Sequence, residues 1–239
     1  MAAADGTFLG YTNNRDPQHV LRMLKEAMQL QKPGNTTKQP QNSETSRPET
    51  DPQFNPQSPT AGLVVRVQAK VLSGYEEPDS HFEKVFQTAL SRDNLWISAN
   101  ETNAMIDGTF PASLAIRIAR FHLVDNTRGE PPMWNEDEVV SHRFAVDQGH
   151  IVGHVELKSK DGSRSYSADL LGQLTIVDRK VTGMKMVAKG TFAGEGTYTR
   201  NAPKDPFPLA ISFTLADGTD MADAIPPQGS RGWLRGYIQ

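Results

Sequence analysis

Two histidines in GHIVGH, His150 and His154, stand four residues apart. On a helix that spacing turns both imidazoles to one face, where they could share a metal ion. On a strand it separates them by about 13 Å, too far for one ion. The run DGTDMADA carries Asp217, Asp220 and Asp223. A calcium loop needs oxygen ligands converging from a tight, regular turn, and these three do not follow the EF-hand spacing. Glu195 and Tyr198 lie in the glycine-rich AGEGTYTR, which lacks the Lys-Ser/Thr of a P-loop and the strand–turn–helix setting of a dinucleotide site. Together with His142 they would supply a carboxylate, a phenol and an imidazole for proton transfer. No G-x-S-x-G element is present, so no nucleophile elbow can be built. On this reading the chain has no assigned catalytic residue, no metal site and no cofactor.

The elements that would position these groups follow from hydrophobic period. LVVRVQAKVL (63–72) alternates as a strand, with Val65, Val67, Ala69 and Val71 on one side. Phe82, Val85, Phe86, Ala89 and Leu90 follow Ser80 at helical spacing and predict a buried stripe. A short helix is expected around Glu101–Asp107, ending at Gly108. Another starts at Pro111, with Leu114, Ala115, Ile118 and Phe121 inward and Arg117 and Arg120 on its wet side.

From about Glu138 the period changes to two. Gln148-Gly149 and Asp161-Gly162 are hairpin turn signals. Tight turns there set Val146 opposite Ile151, Phe144 opposite Gly153, His142 opposite Val155 and Val140 opposite Leu157. The next strand then brings Leu157 to Tyr166, Val155 to Ala168, Gly153 to Leu170 and Ile151 to Gly172. One face stays apolar across all three strands, an agreement that a one-residue slip would destroy. His142 falls on that apolar face, which makes His142 and Tyr166 candidate polar anchors of an otherwise apolar pocket. Strands at 181–192 and 207–216 follow, the first without a fixed register, and the tail PPQGSRGWLRGYIQ could add a last short strand. The fold expected is α+β: an antiparallel meander of roughly six strands, open or curled to a partial barrel, with about two or three helices inserted after the first strand.

The front of the chain is different. A strand at Thr7–Thr12 and a helix capped by Asp16-Pro17 form residues 1–31. Residues 32–61 are rich in Pro, Gln and Thr and read as a disordered linker. The β-rich domain takes 62–239. In the first segment Asp5, Gly6, Gly10, Asp16, Pro17, Val20, Leu21 and Leu24 resemble the last strand and C-terminal helix of a thioredoxin-like domain. The resemblance covers about 25 residues and lacks the family's C-x-x-C, so it implies a remnant or a late start and no redox activity. The main domain resembles no named family.

Composition narrows the rest. Among 239 residues there is no cysteine, which excludes disulfides, thiol catalysis and Cys-based metal sites. A net charge of −3 argues against duplex nucleic acid. No apolar run is long enough to be a transmembrane helix, and the first residues have no basic start with an apolar core of a signal peptide. The chain as it stands reads as soluble and cytoplasmic, or periplasmic or secreted if its start is truncated. The leading expectation is a non-catalytic binding or interaction module with a small apolar ligand or a protein partner, its candidate ligand contacts being His142, Tyr166, Glu195 and Tyr198. An enzyme using the 193–206 loop with His142, and a structural domain of a secreted or envelope-associated thioredoxin-like protein, are the alternatives.

Overall fold

The computed structural model describes residues 9–10, 16–30, 56–230 and 234–238. Its contacts divide the chain into two units, Met1–Thr50 and Asp51–Gln239. In the first, helix α1 (Pro17–Leu30) starts at Asp16, whose carboxylate accepts from Gln18 N at 2.9 Å. Val20, Leu21, Leu24 and Met28 on α1 are exposed. Of the expected strand Thr7–Thr12, Leu9 and Gly10 are described and carry no regular structure; its other residues, and the expected linker as far as Asn55, lie outside the described residues.

The second unit is α+β. Its strands are β1 (Leu63–Val71), β2 (Asp93–Ile97), β3 (Val139–Asp147), β4 (His150–Lys158), β5 (Ser165–Val177), β6 (Lys180–Ala193) and β7 (Phe207–Leu215). They form one antiparallel sheet in the order β2-β1-β7-β6-β5-β4-β3, curled into a half-barrel. The β3–β4–β5 register is the one that alternation dictates: Phe144 pairs with Gly153, Val155 with Ala168 and Leu157 with Tyr166. One pair differs. A bulge between Val139 and Ser141 puts Val139, not Val140, opposite Leu157 and leaves Val140 exposed. The β5–β6 turn is Asp178-Arg179, both at positive φ. Neither is glycine, which is why the connection gave no clear sequence signal.

Rows of small and large side chains cross the inner face. One runs Val71, Leu209, Gly190, Ala168, Val155, His142. At Gly190 the backbone of β5 lies so close that a Cβ would collide with the Ser167 carbonyl and sit 2.5 Å from Ala168 Cα. Glycine is required there by contact rather than by dihedral angle.

Between β1 and β3 lie helices α2 (His81–Thr88), α3 (Ala99–Ile106) and α4 (Ala112–Arg117), the last running on as a π-helical turn, Ile118–His122. Met105, Leu114, Ile118, Ala119 and Leu123 join the inner strand residues in one buried core. Three expectations fail here. α2 buries no residue: of its stripe Phe82, Val85 and Leu90 are exposed, and Phe86 and Ala89 are half-buried. Arg117 is buried, because Glu101 and main-chain carbonyls satisfy its guanidinium. The described parts of the tail hold a 3-10 turn (Gln228–Ser230) and helix α5 (Leu234–Ile238), not a strand. Helix α3 begins with a capping box in which Ser98 and Glu101 exchange side-chain bonds with each other's main-chain N–H.

Candidate functional site

The structure does not bring the expected site residues together. Tyr166 is fully buried between Leu157 and Phe192, and its hydroxyl donates to Leu209 O at 3.0 Å. Burial pushes its phenol far above the ordinary range. His142 has the expected partner, Val155, yet it is exposed. It lies on β3, the sheet edge, where the inner row runs out. The pocket anchored by His142 and Tyr166 is therefore not formed: one group is in solvent and the other is spent inside the core. Glu195 is exposed, and its carboxylate accepts from Ala202 N at 3.1 Å, which ties its own loop. Tyr198 is exposed. Among the described residues no hydrogen bond joins any two of these four.

His154 sits on the outer face between carboxylates, with Nδ1 2.8 Å from Asp169 and Nε2 3.0 Å from Glu156. The three aspartates of 217–223 are engaged by arginines. Arg66 grips Asp223 with two bonds, 2.9 and 2.8 Å, and also reaches Asp217; Arg92 donates to Asp223 at 2.6 Å. Bonds from the Thr219 hydroxyl and N–H, with Arg66 added, hold the Asp217 carboxyl down at about 2. These carboxylates serve to fasten the 217–223 loop to β1 and β2.

That fastening builds a cleft. About 670 Å³ of space lies at the start of β2, lined by Arg92, Asp93 and Asn94, by Asn126, Gly129 and Glu130 after the π turn, by Pro56, and by the loop around Pro226, Pro227 and Gln228. Asn94 Nδ2 donates to Ala222 O and Ile225 O at 2.7 and 2.8 Å, and Gln228 N donates to Asp93 Oδ1 at 2.9 Å. Arg92 Nη1 donates to Asp93 O and to Asn94 Oδ1, both at 2.7 Å. The opposite wall is braced from behind. Arg128 and Asp125 form a buried ion pair of 2.6 Å, and Arg128 also donates to the Tyr75 hydroxyl at 2.6 Å.

Beneath the cleft runs a buried polar chain. Asp93 Oδ2 lies 3.2 Å from His122 Nδ1, off the line of a hydrogen bond. On the other side His122 Nε2 meets the Tyr237 hydroxyl at 2.6 Å. Burial, and then the Asp93 charge, push the Tyr237 phenol well up. Ser230, a hydroxyl in the cleft lining, donates to Pro227 O at 2.7 Å, so it is not presented to His122 as a nucleophile would be. Two polar groups in the lining, the side-chain amides of Asn126 and Gln228, have no partner among the described residues. Both were missed in the sequence, since they sit in separate loops more than a hundred positions apart and carry no shared motif.

No protein-family model, curated protein or solved structure matches this chain.

Proposed function

We propose that the protein is a non-catalytic binding module and that the cleft at the start of β2 holds a small polar ligand. The observation that carries this reading is the contrast within the lining. Arg92 and Asn94 are committed to β2 and the C-terminal loop, and Asp93 is shared between that loop and His122, whereas the amides of Asn126 and Gln228 stand open on two different walls. Small-molecule sites commonly present a few such groups on a rigid surround. An amide offers both donors and an acceptor, so the pair suits hydroxyl, carbonyl or amide groups of a neutral ligand. Pro226 and Pro227 supply an apolar surface beside them. The two open amides favour such a ligand over a purely apolar one, and the lack of a presented nucleophile among the described lining residues favours binding over covalent catalysis.

The test is side-chain amide NMR of the full chain against a library of small polar fragments. Binders should shift the Asn126 and Gln228 NH₂ resonances, and Asn126→Ala or Gln228→Ala should weaken each binder by about tenfold, the worth of one net hydrogen bond. If no fragment moves either amide, the reading fails.

A further inference from the structure

Helix α2 has the sequence of an amphipathic helix but leaves most of its apolar side outside the core. Phe82, Val85 and Phe86 share one side; Phe82 is 68% exposed and Val85 52%. The rings of Phe82 and Phe86 meet edge to face at 4.5 Å. Leu90, just past the helix, is exposed as well. So short a helix is marginal on propensity alone. It is held by its first turn, where Ser80 Oγ accepts from Glu83 N and Glu83 accepts from Asp79 N. The chain thus maintains an apolar stripe that it does not bury. Contiguous exposed apolar surface of this kind marks an interaction site.

Charge decides what can cover it. A groove of about 430 Å³ runs between α2 and residues 201–205. Five carboxylates, those of Glu76, Glu77, Asp79, Glu83 and Asp205, line it around Phe86 against one ammonium, Lys204, which is paired with Glu76 at 2.8 Å. This rim repels an anionic lipid surface, and a second copy of the same face would set carboxylate against carboxylate. It attracts a cation carried on an apolar body.

We propose that α2 and its acidic groove are a docking site for a basic amphipathic segment of a protein partner. Apolar side chains of that segment pack on Phe82 and Val85, and a lysine or arginine enters the groove beside Glu77 and Asp205. Helix-in-groove recognition with a charged rim is the corresponding binding mode.

The experiment titrates the full chain with the amphipathic peptide KLLKLLKKLLKLLK and with its counterpart carrying glutamate in place of lysine. The lysine peptide should shift the amides of α2, bind more weakly as salt rises, and outbind the glutamate peptide. Two variants, Phe82→Ser/Val85→Ser and Glu77→Lys/Asp205→Lys, should each lose about tenfold or more in affinity. Their melting temperatures should stay close to that of the parent, because all four side chains are exposed. The proposal is overturned by shifts that map away from α2, by equal binding of the glutamate peptide, or by full binding in either variant. It is equally overturned by a dimer, or by capture on phosphatidylserine vesicles, that Phe82→Ser/Val85→Ser abolishes while peptide binding persists.

Discussion

Arg117 and Glu101 face each other through two parallel hydrogen bonds inside the core, Nη1 to Oε2 at 2.9 Å and Nη2 to Oε1 at 2.8 Å. The remaining guanidinium hydrogens reach the carbonyls of Trp96, Tyr237 and Ile238. One side chain of α4 therefore holds β2, the cap of α3 and the C-terminal helix together. Arg117→Leu leaves a buried carboxylate without its partner and is expected to cost about 3–5 kcal/mol. The double variant Arg117→Leu/Glu101→Leu should cost clearly less than the sum of the two single changes, measured by urea unfolding. Additive losses would show the two groups to be uncoupled.

Glu101 also sets an acid limit. Burial works to raise its carboxyl, but the bonds from Arg117, Ser113 and Ser98 outweigh it, and the net shift is downward. A carboxyl lowered by folding stabilises above its unfolded value of about 4.3 and ceases to do so as pH falls through the folded value. Glu101→Gln should thus be destabilised near neutrality, and its gap to the parent should narrow below about pH 4. Thermal melts across that range measure the gap; a constant difference would contradict the assignment.

His154 should titrate above a free histidine. Hydrogen bonding to Asp169, then to Glu156, raises the His154 imidazole. A raised imidazole contributes below its unfolded value of about 6.5 and loses that contribution as pH climbs through the folded value. Imidazole NMR of the parent should place the His154 midpoint above that of a free histidine, and Asp169→Asn should bring it down. Both groups are open to solvent, so the effect on unfolding should be slight.

The inner rows of the sheet make a sharper test. A Cβ at Gly153 would lie 3.2 Å from the Phe144 ring and 2.9 Å from Arg143 O. Gly153→Val should destabilise by about 1–3 kcal/mol through crowding. Gly190→Ala, although smaller, should be the worse of the two, because its methyl meets main chain that cannot rotate away. Chemical denaturation of both variants decides the order.

Gly153 was readable in the sequence because β3, β4 and β5 alternate and their turns fix register; Gly190 was not, because the register of β6 stayed open without a glycine turn before it. β2 was not: DNLWI is buried on both faces apart from Asp93, so it carries no alternation. The stripe of α2 shows the limit of helical period, which marks an apolar side without saying whether anything covers it. Arg117 shows the converse: its charge predicts solvent, while its partner is 16 residues away on another helix. His142 was placed correctly in register and wrongly in environment, since alternation does not reveal that β3 ends the sheet. The cleft was hidden because Asp93, Asn126 and Gln228 come together only through the loops that Arg66, Arg92 and Asn94 tie down.

The sheet order has a consequence for assembly in time. β1 pairs with β2 on one side and with β7 on the other, and β7 is made last of all the strands. During synthesis β3 to β6 can zip up by successive hairpins, each closing a short loop. β1 must wait, with Val65, Val67, Ala69 and Val71 uncovered, until Leu209, Ile211 and Phe213 have left the ribosome. The closing of β1 on β7 is thus the strand pairing of greatest sequence separation in the sheet, the kind of contact that slows folding, and β1 stays open to misassociation until it forms.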